Sequence, residues 1–356
     1  MRYIPWRASH RGRRIKPQMH SKPVALDAMG GDYAPSALVV GACRAVRDGI
    51  PVVLVGDEAK LRPLIPSGMD LPIVHASESV GMDESPASAV RTKKDASIRV
   101  ALREVAEERA SSVVSCGNTG AVMAASLMEL GRIDGVERPA VVTTVPRTDG
   151  GQVVILDLGA NVDCKSSHLG QFGVMGQVFA HHVLGLENPR VGLLSNGEEE
   201  GKGNEQVRAT LPLLERMPIN FIGPIEPTHA LHGGCEVLVC DGFVGNVMLK
   251  SVEATIEIAG KLLKEEIRRR PSAKFGAWLL TGAFKRYRKR TSANAIGGAY
   301  LVGVNGTVVV GHGRSDSRAV YAAISTAHTA VSEQLTSHIG TAVSTALAQT
   351  EQEDPS

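Results

Sequence analysis

The sequence predicts an α/β protein in which parallel strands alternate with helices. Three observations carry that expectation. Short Val/Ile/Leu-rich runs alternate with longer helical patterns. Most of the runs close in Gly, Asn, Asp or Ser. The 38 glycines among 356 residues exceed a background of roughly 7%, as many tight strand-to-helix turns require. The expected strands are VALDAM, VVLVGD, SVVSCG, VVILDLG, VGLLSNG and VLVCDG, each apolar on both faces as in a buried parallel sheet. Helices are expected over 86–109, opened by Pro86, over 118–130, opened by Asn118, over 166–184, over 204–216, opened by Asn204, and over 245–270. Strand then helix, repeated, implies right-handed crossovers.

The chain divides into a basic, disordered arm at 1–22, a single α/β domain at 23–340 and a polar tail at 341–356. The arm carries seven Lys/Arg and no acid, and its lack of an apolar stretch argues against a secretory signal. Met19 just before the first strand leaves open a start there, with the arm outside the working protein. Residues 261–290 carry eleven Lys/Arg against two acids, Glu265 and Glu266. The rest of the chain then holds 21 basic and 35 acidic residues, so the basic charge is local, of the kind that meets anionic lipid or an acidic partner. No apolar run reaches the roughly 18 residues of a membrane span.

Several chemistries lack their residues. The five cysteines, Cys43, Cys116, Cys164, Cys235 and Cys240, are scattered and without a Cys-x-x-Cys pair, which suits a reducing cytoplasm. His229, His232 and Cys235 are three apart, but Cys235 and Cys240 end a strand-like run at odd spacing and face opposite ways, so no metal site is expected. GEEEGKG at 197–203 is one residue short of a phosphate-binding P-loop and holds three carboxylates that repel a triphosphate. Neither a Gly-x-Gly-x-x-Gly after the first strand nor a Gly-x-Ser-x-Gly elbow is present, and no cofactor is expected. Cys116 sits in a polar turn with nothing near in sequence to lower its pKa, so it reads as a turn residue before it reads as a nucleophile.

Five turns carry the polar chemistry: Asp27–Asp32, Ser115–Gly120, Asp157–Lys165, Ser195–Asn204 and Asp241–Asn246. In an open parallel sheet the carboxyl ends of the strands share one edge, so these turns are expected to meet in one crevice. Glycines there admit a ligand close to the backbone, and helix starts offer unpaired N–H groups to an anion of phosphate size. Each turn taken singly is also explained by capping alone.

Within 250–267, Val252, Ile256, Ala259, Leu263 and Ile267 form one helical face, a core or dimer stripe. After Pro271, the segment 274–290 sets Phe275, Trp278, Leu279, Leu280 and Phe284 among basic residues, which reads as an interfacial helix on an anionic membrane. A helical hairpin packed on the same protein or its dimer mate is the competing reading. No nucleic-acid-binding motif accompanies the charge, so nucleic acid is not expected as a partner.

The ordered segments ALDAMGGD, SCGNTGA, LDLGANVDCK, GLLSNGEEEGKGN, DGFVGNVMLK and HGRSDS, spread from about Val24 to His328, closely resemble the bacterial phosphate acyltransferases of phospholipid synthesis. That resemblance implies a three-layer α/β fold with a mostly parallel sheet, like isocitrate dehydrogenase and phosphotransacetylase, with a protruding basic helical hairpin at about 261–292. It implies transfer of a long-chain acyl group from acyl carrier protein to inorganic phosphate, giving acyl phosphate. It implies also a homodimer in the cytoplasm, peripherally bound to the membrane beside a glycerol-3-phosphate acyltransferase. The competing functions are a short-chain phosphate acetyl- or butyryltransferase using acyl-CoA and a non-catalytic membrane scaffold.

Phosphate is itself an anionic nucleophile, so direct attack on the thioester needs alignment, cations and N–H donors for the oxyanion more than a base. Asn118, Thr119 and Gly120 are the candidate oxyanion donors, and Lys165, Lys202 and Lys250 the candidate cations. Asn161, Asn204 and Asn246 are candidates for orienting substrate, with Gly30, Gly31 and Asp32 lining it. Asp27, Asp163 and Asp316 are candidate acid/base or positioning groups, and Asp27 reads equally well as a cap of its own turn.

Overall fold

The computed structural model describes residues 22–291 and 297–353. Apart from Lys22, the expected basic arm lies outside the described residues. The strands are β1 (Val24–Asp27), β2 (Val52–Gly56), β3 (Ile73–His75), β4 (Ser112–Ser115), β5 (Ala140–Pro146), β6 (Gln152–Leu156), β7 (Val191–Leu194), β8 (Phe221–Ile225), β9 (Val237–Val239), β10 (Ala299–Val302) and β11 (Thr307–Val310). The helices begin with α1 (Ser36–Arg47), α2 (Glu58–Leu61), α3 (Pro86–Thr92), α4 (Ser97–Ala106), α5 (Thr119–Glu129), α6 (Ser166–Leu184), α7 (Glu205–Arg216) and α8 (Pro227–His229). They continue with α9 (Gly242–Arg269), α10 (Pro271–Leu279), α11 (Thr281–Thr291), α12 (Ser317–Ser332) and α13 (Leu335–Glu353).

The eleven strands form one sheet in the order β3-β2-β1-β4-β11-β10-β5-β6-β9-β7-β8. β1, β2 and β4 are buried along their whole length, as the unbroken apolar runs require. One sheet face is covered by α1, α12, α13, α6 and α7, and the other by α3, α4, α5 and the start of α9, which makes the three layers.

The sheet is parallel only within its two halves. β3, β2, β1, β4 and β11 run together, and so do β6, β9, β7 and β8. Between them β11-β10, β10-β5 and β5-β6 are antiparallel, three reversals that turn the second half against the first. The carboxyl ends of the two parallel sets therefore lie on opposite edges, and the expected single meeting place of five turns is corrected to two groups of turns. The reversal starts at a hairpin from β5 to β6. There Gly150 adopts φ +94° and Asp149 Oδ1 accepts from Gly151 N at 2.9 Å, an Asp-Gly turn signal that the strand count passed over.

Helix boundaries follow local chemistry. Asn118 accepts from Ala121 N, Asn204 from Val207 N and Asp241 from Phe243 N and Val244 N, each satisfying an otherwise unpaired first-turn donor. The Asp241 cap starts α9 at Gly242, three residues before the expected Gly245. The helix expected over 86–109 is two helices. Their break at 93–96 is held by Lys93 Nζ to Ser79 O and Glu84, and by Asp95 accepting from Ser77. The polar tail expected at 341–356 is corrected as well, because α13 continues through it to Glu353. Leu335, Ile339, Val343 and Ala346 recur at helical spacing and are buried in a core shared with α6, a stripe that the intervening Thr, Ser and His obscure.

Candidate functional site

At the edge where β1, β4 and β11 end, three turns press backbone against backbone. A Cβ on Gly30 would stand 2.9 Å from Gly117 N, and one on Gly31, whose φ is +105°, 2.8 Å from Cys116 O and 3.1 Å from Gly313 O. Asp32 N donates to Gly313 O at 2.8 Å. Only glycine permits this approach. Asp27 lies beneath, 3% exposed, accepting from Ser97 Oγ at 2.6 Å, Ser115 Oγ at 2.7 Å and Met29 N at 3.3 Å. Burial raises its pKa above the ordinary value, against the lowering by these donors. Asn118 spends its side chain on Ala121 N and on Met82 O, leaving the N–H groups of Thr119 and Gly120 at the start of α5 without a partner among the described residues. Asp316 caps α12 through Arg318 N and Ala319 N.

Cys116 is buried at this edge. Burial pushes its thiol up to about 11, which favours the protonated form at neutral pH and disfavours a thiolate. Cys116→Ala is expected to keep turnover within a few-fold. Acylated enzyme accumulating in the parent protein, with the variant dead, would establish a covalent route instead.

At the opposite edge, Asp157 is fully buried and takes five donors. Val141 N, Gly159 N and Ala160 N reach Oδ1 at 2.9, 3.2 and 3.0 Å, and Asn161 N and Nδ2 reach Oδ2 at 2.7 and 2.9 Å. Burial dominates and raises its pKa. Asn161 also donates from Nδ2 to Pro139 O at 2.7 Å, so its amide is committed to the fold. The first turn of α9 sits on this loop, with Asn246 against Gly159. Gln206 Nε2 donates to Cys164 O, which ties the first turn of α7 to the 157–165 turn. Lys165 and Asp163 are exposed here. Lys202 packs its stem over Gly197 beside Glu199, and Lys250, two turns into α9, stands 3.6 Å from Glu253.

The structure thus divides the candidates. Asp27, Gly30, Gly31, Asp32, Asn118, Thr119, Gly120 and Asp316 share one edge, and Asn161, Asp163, Lys165, Lys202, Asn204 and Asn246 the other. The 11 residues of α5, about 16 Å, separate the free N–H groups from the surroundings of Lys165. The 28-residue α9 joins the edges. It starts against Asn161, and Glu257, roughly 22 Å along it, has its pKa lowered chiefly by its hydrogen bond with Lys261 and in smaller part by Arg314 of the first edge.

Beside Lys165 lies a cavity of about 510 Å³ lined by Leu127, Arg132, Glu137, Arg138, Pro139 and His168 as well. His168 is buried, accepts from Lys165 N at Nδ1 (3.0 Å) and meets Glu137 Oε2 from Nε2 at 3.1 Å. Burial lowers its pKa, favouring the neutral ring. The sequence reading missed Arg132, Glu137, Arg138 and His168. Their signal is the run GRIDGVERP, a charged connection between two apolar elements. Among the described residues no three His, Cys, Asp or Glu gather to hold a metal, and no helix is long and apolar enough to cross a membrane.

Residues 23–338 match the family described as fatty acid synthesis protein. A phosphate acyltransferase of Trichlorobacter lovleyi is 48% identical over 321 residues, covering 89% of this chain and 93% of that one. One from Halalkalibacterium halodurans is 45% identical over 326 residues, covering 91% and 97%. In fold the chain is similar to a phosphotransacetylase from Streptococcus pyogenes (TM-score 0.61, 17% identity, 88% and 94% covered). It is similar also to a branched-chain phosphotransacylase from Enterococcus faecalis (0.54, 16%, 87% and 99%). With two glycine-lined edges on a phosphotransacetylase-like sheet and this identity along nearly the whole chain, the protein belongs to the phosphate acyltransferases of fatty acid synthesis and is an acyltransferase.

Proposed function

We propose that the acyl donor is a long-chain acyl-(acyl carrier protein), and that the product, acyl phosphate, is passed to a membrane glycerol-3-phosphate acyltransferase for phosphatidic acid synthesis. The observation that carries this reading is the arm formed by the far end of α9 with α10 and α11. Phe275, Trp278, Leu279 and Leu280 are 64%, 69%, 63% and 55% exposed there, among Lys274, Lys285 and Arg286. Phe284 is half-buried. A folded protein keeps so large an apolar patch uncovered where a partner or a lipid surface covers it. The cationic rim suits both an acidic carrier protein and anionic headgroups. We read the chain as cytoplasmic, peripherally bound, and a homodimer, since Phe243, Val247, Ile258 and Leu262 leave a further apolar stripe exposed along α9.

The chemistry is a direct displacement. A phosphate oxygen bonds to the thioester carbonyl carbon, the tetrahedral oxyanion collapses, the C–S bond breaks, and the thiolate leaves and is protonated by solvent. The thiol's modest pKa makes it a ready leaving group, and the reaction is reversible.

Purified protein incubated with phosphate and long-chain acyl carrier protein, with hydroxylamine to trap acyl phosphate, is expected to yield hydroxamate at least tenfold faster than with the matching acyl-CoA. Paired Trp278→Glu and Leu279→Glu substitutions are expected to abolish co-sedimentation with anionic vesicles. Equal rates with the two donors, or undiminished vesicle binding, would refute the respective half of the reading.

A further inference from the structure

We propose that the cavity at the start of α6 is the binding site of the phosphate substrate, with Arg138 and Lys165 as its main ligands and Arg132 at its rim. The cavity, about 510 Å³, is many times the roughly 30 Å³ that a water molecule occupies, and it is open to solvent exchange. Three cations face it against one carboxylate.

That carboxylate is already engaged. Glu137 Oε2 accepts from Ser167 Oγ at 3.1 Å and meets His168 Nε2 at 3.1 Å. Lys165 N donates to His168 Nδ1, which leaves the proton of a neutral ring on Nε2, pointing at Glu137. His168 is therefore a positioning residue that turns the Glu137 carboxylate toward α6. Arg138 and Lys165 have no carboxylate partner among the described residues. Both are exposed, so water screens part of their repulsion, and an anion held between them would remove the rest.

A purely structural explanation would have these cations neutralise the carboxyl-terminal end of α5, whose Leu127 forms one wall. The hydrogen bonds oppose it. Arg132 Nη1 donates to Glu137 O, and among the described hydrogen bonds no α5 carbonyl accepts from any of the three side chains. The two other lysines offered by the sequence are worse placed. Lys250 pairs with Glu253, and Lys202 lies in a turn with Glu198, Glu199 and Glu200. The positive end of the 19-residue α6 adds to the field at the cavity.

The inference rests on phosphate being a substrate and is independent of which thioester is the donor. Its test titrates inorganic phosphate into the full-length enzyme without donor, read by calorimetry. Arg138→Gln and Lys165→Gln are each expected to weaken phosphate binding at least tenfold and to raise the KM for phosphate alike, with the KM for thioester within twofold. Unchanged phosphate affinity in both variants would overturn the proposal. So would a rise confined to the thioester KM, which would assign the cavity to an anionic group of the donor. A second measurement needs no variant. Phosphate, but not chloride at equal ionic strength, is expected to protect Lys165 from an amine-reactive acylating reagent, and absence of protection would likewise overturn the assignment.

Discussion

Gly245→Ala is expected to destabilise the protein by about 3 kcal/mol or more, at the severe end of overpacking effects. A Cβ at Gly245 would stand 2.0 Å from Asp157 O and 2.7 Å from Cys240 Sγ. Gly242, one turn earlier, faces the same loop, its Cβ position 2.5 Å from Asn161 O. Neither obstacle can step aside. Five hydrogen bonds to the Asp157 carboxylate fix the loop, and Gly242 N donates to Asn161 O at 2.8 Å. The added methyl must push α9 off the loop, and α9 is the element that joins the two edges. A thermal melt lowered by roughly 5 °C or more is the expected reading, and a melt within a degree of the parent would contradict this packing.

Asp27→Ala is expected to cost on the order of 3 kcal/mol, because it strands Ser97 Oγ, Ser115 Oγ and Met29 N without their acceptor in a buried turn. Asp27→Asn keeps one accepting oxygen but sets an NH₂ group against donors, so its loss is intermediate. This pair of variants separates a turn residue from an acid/base catalyst. A catalyst replaced by Asn would lose kcat by about 100-fold or more with its melt intact. A turn residue loses melt and activity together, which is the expected outcome. The pH dependence has a definite sign. Burial raises the folded pKa of Asp27 above its unfolded value, so the stability that this group contributes is fully present below the unfolded pKa and is lost as pH rises through the folded one. The stability gap between parent and Asp27→Asn should therefore narrow as pH rises through that range.

Much of the local structure was legible in the chain. The runs beginning at Val24, Ser112, Val191 and Val237 are strands because Val, Ile and Leu flank them on both faces. The helix expected over 166–184 is α6 residue for residue. Asn118 and Asn204 cap their helices because a short side-chain oxygen can reach a first-turn N–H without help from the rest of the protein. The candidate site was legible only in part. The five polar turns do lie at the ends of strands, but the charged connection that carries Arg138 was passed over, because the importance of Arg138 and His168 lies in which charges they stand beside.

The sequence by itself determined the elements, their caps, the local basic charge and membership of the phosphate acyltransferases, because each depends on neighbours a few residues apart or on ordered motifs. Only the tertiary structure decided that the turns divide between two edges. The direction of β6 relative to β1 is set by β5 and β10, whose pairing joins residues such as Tyr300 and Val142 far apart in the chain. It likewise decided that the Asp27 carboxyl and the Asn161 Nδ2 group are engaged within the fold while Arg138 and Lys165 share one hollow. Burial and charge pairing belong to positions in space, and the order of residues along a chain does not specify them until the sheet has closed.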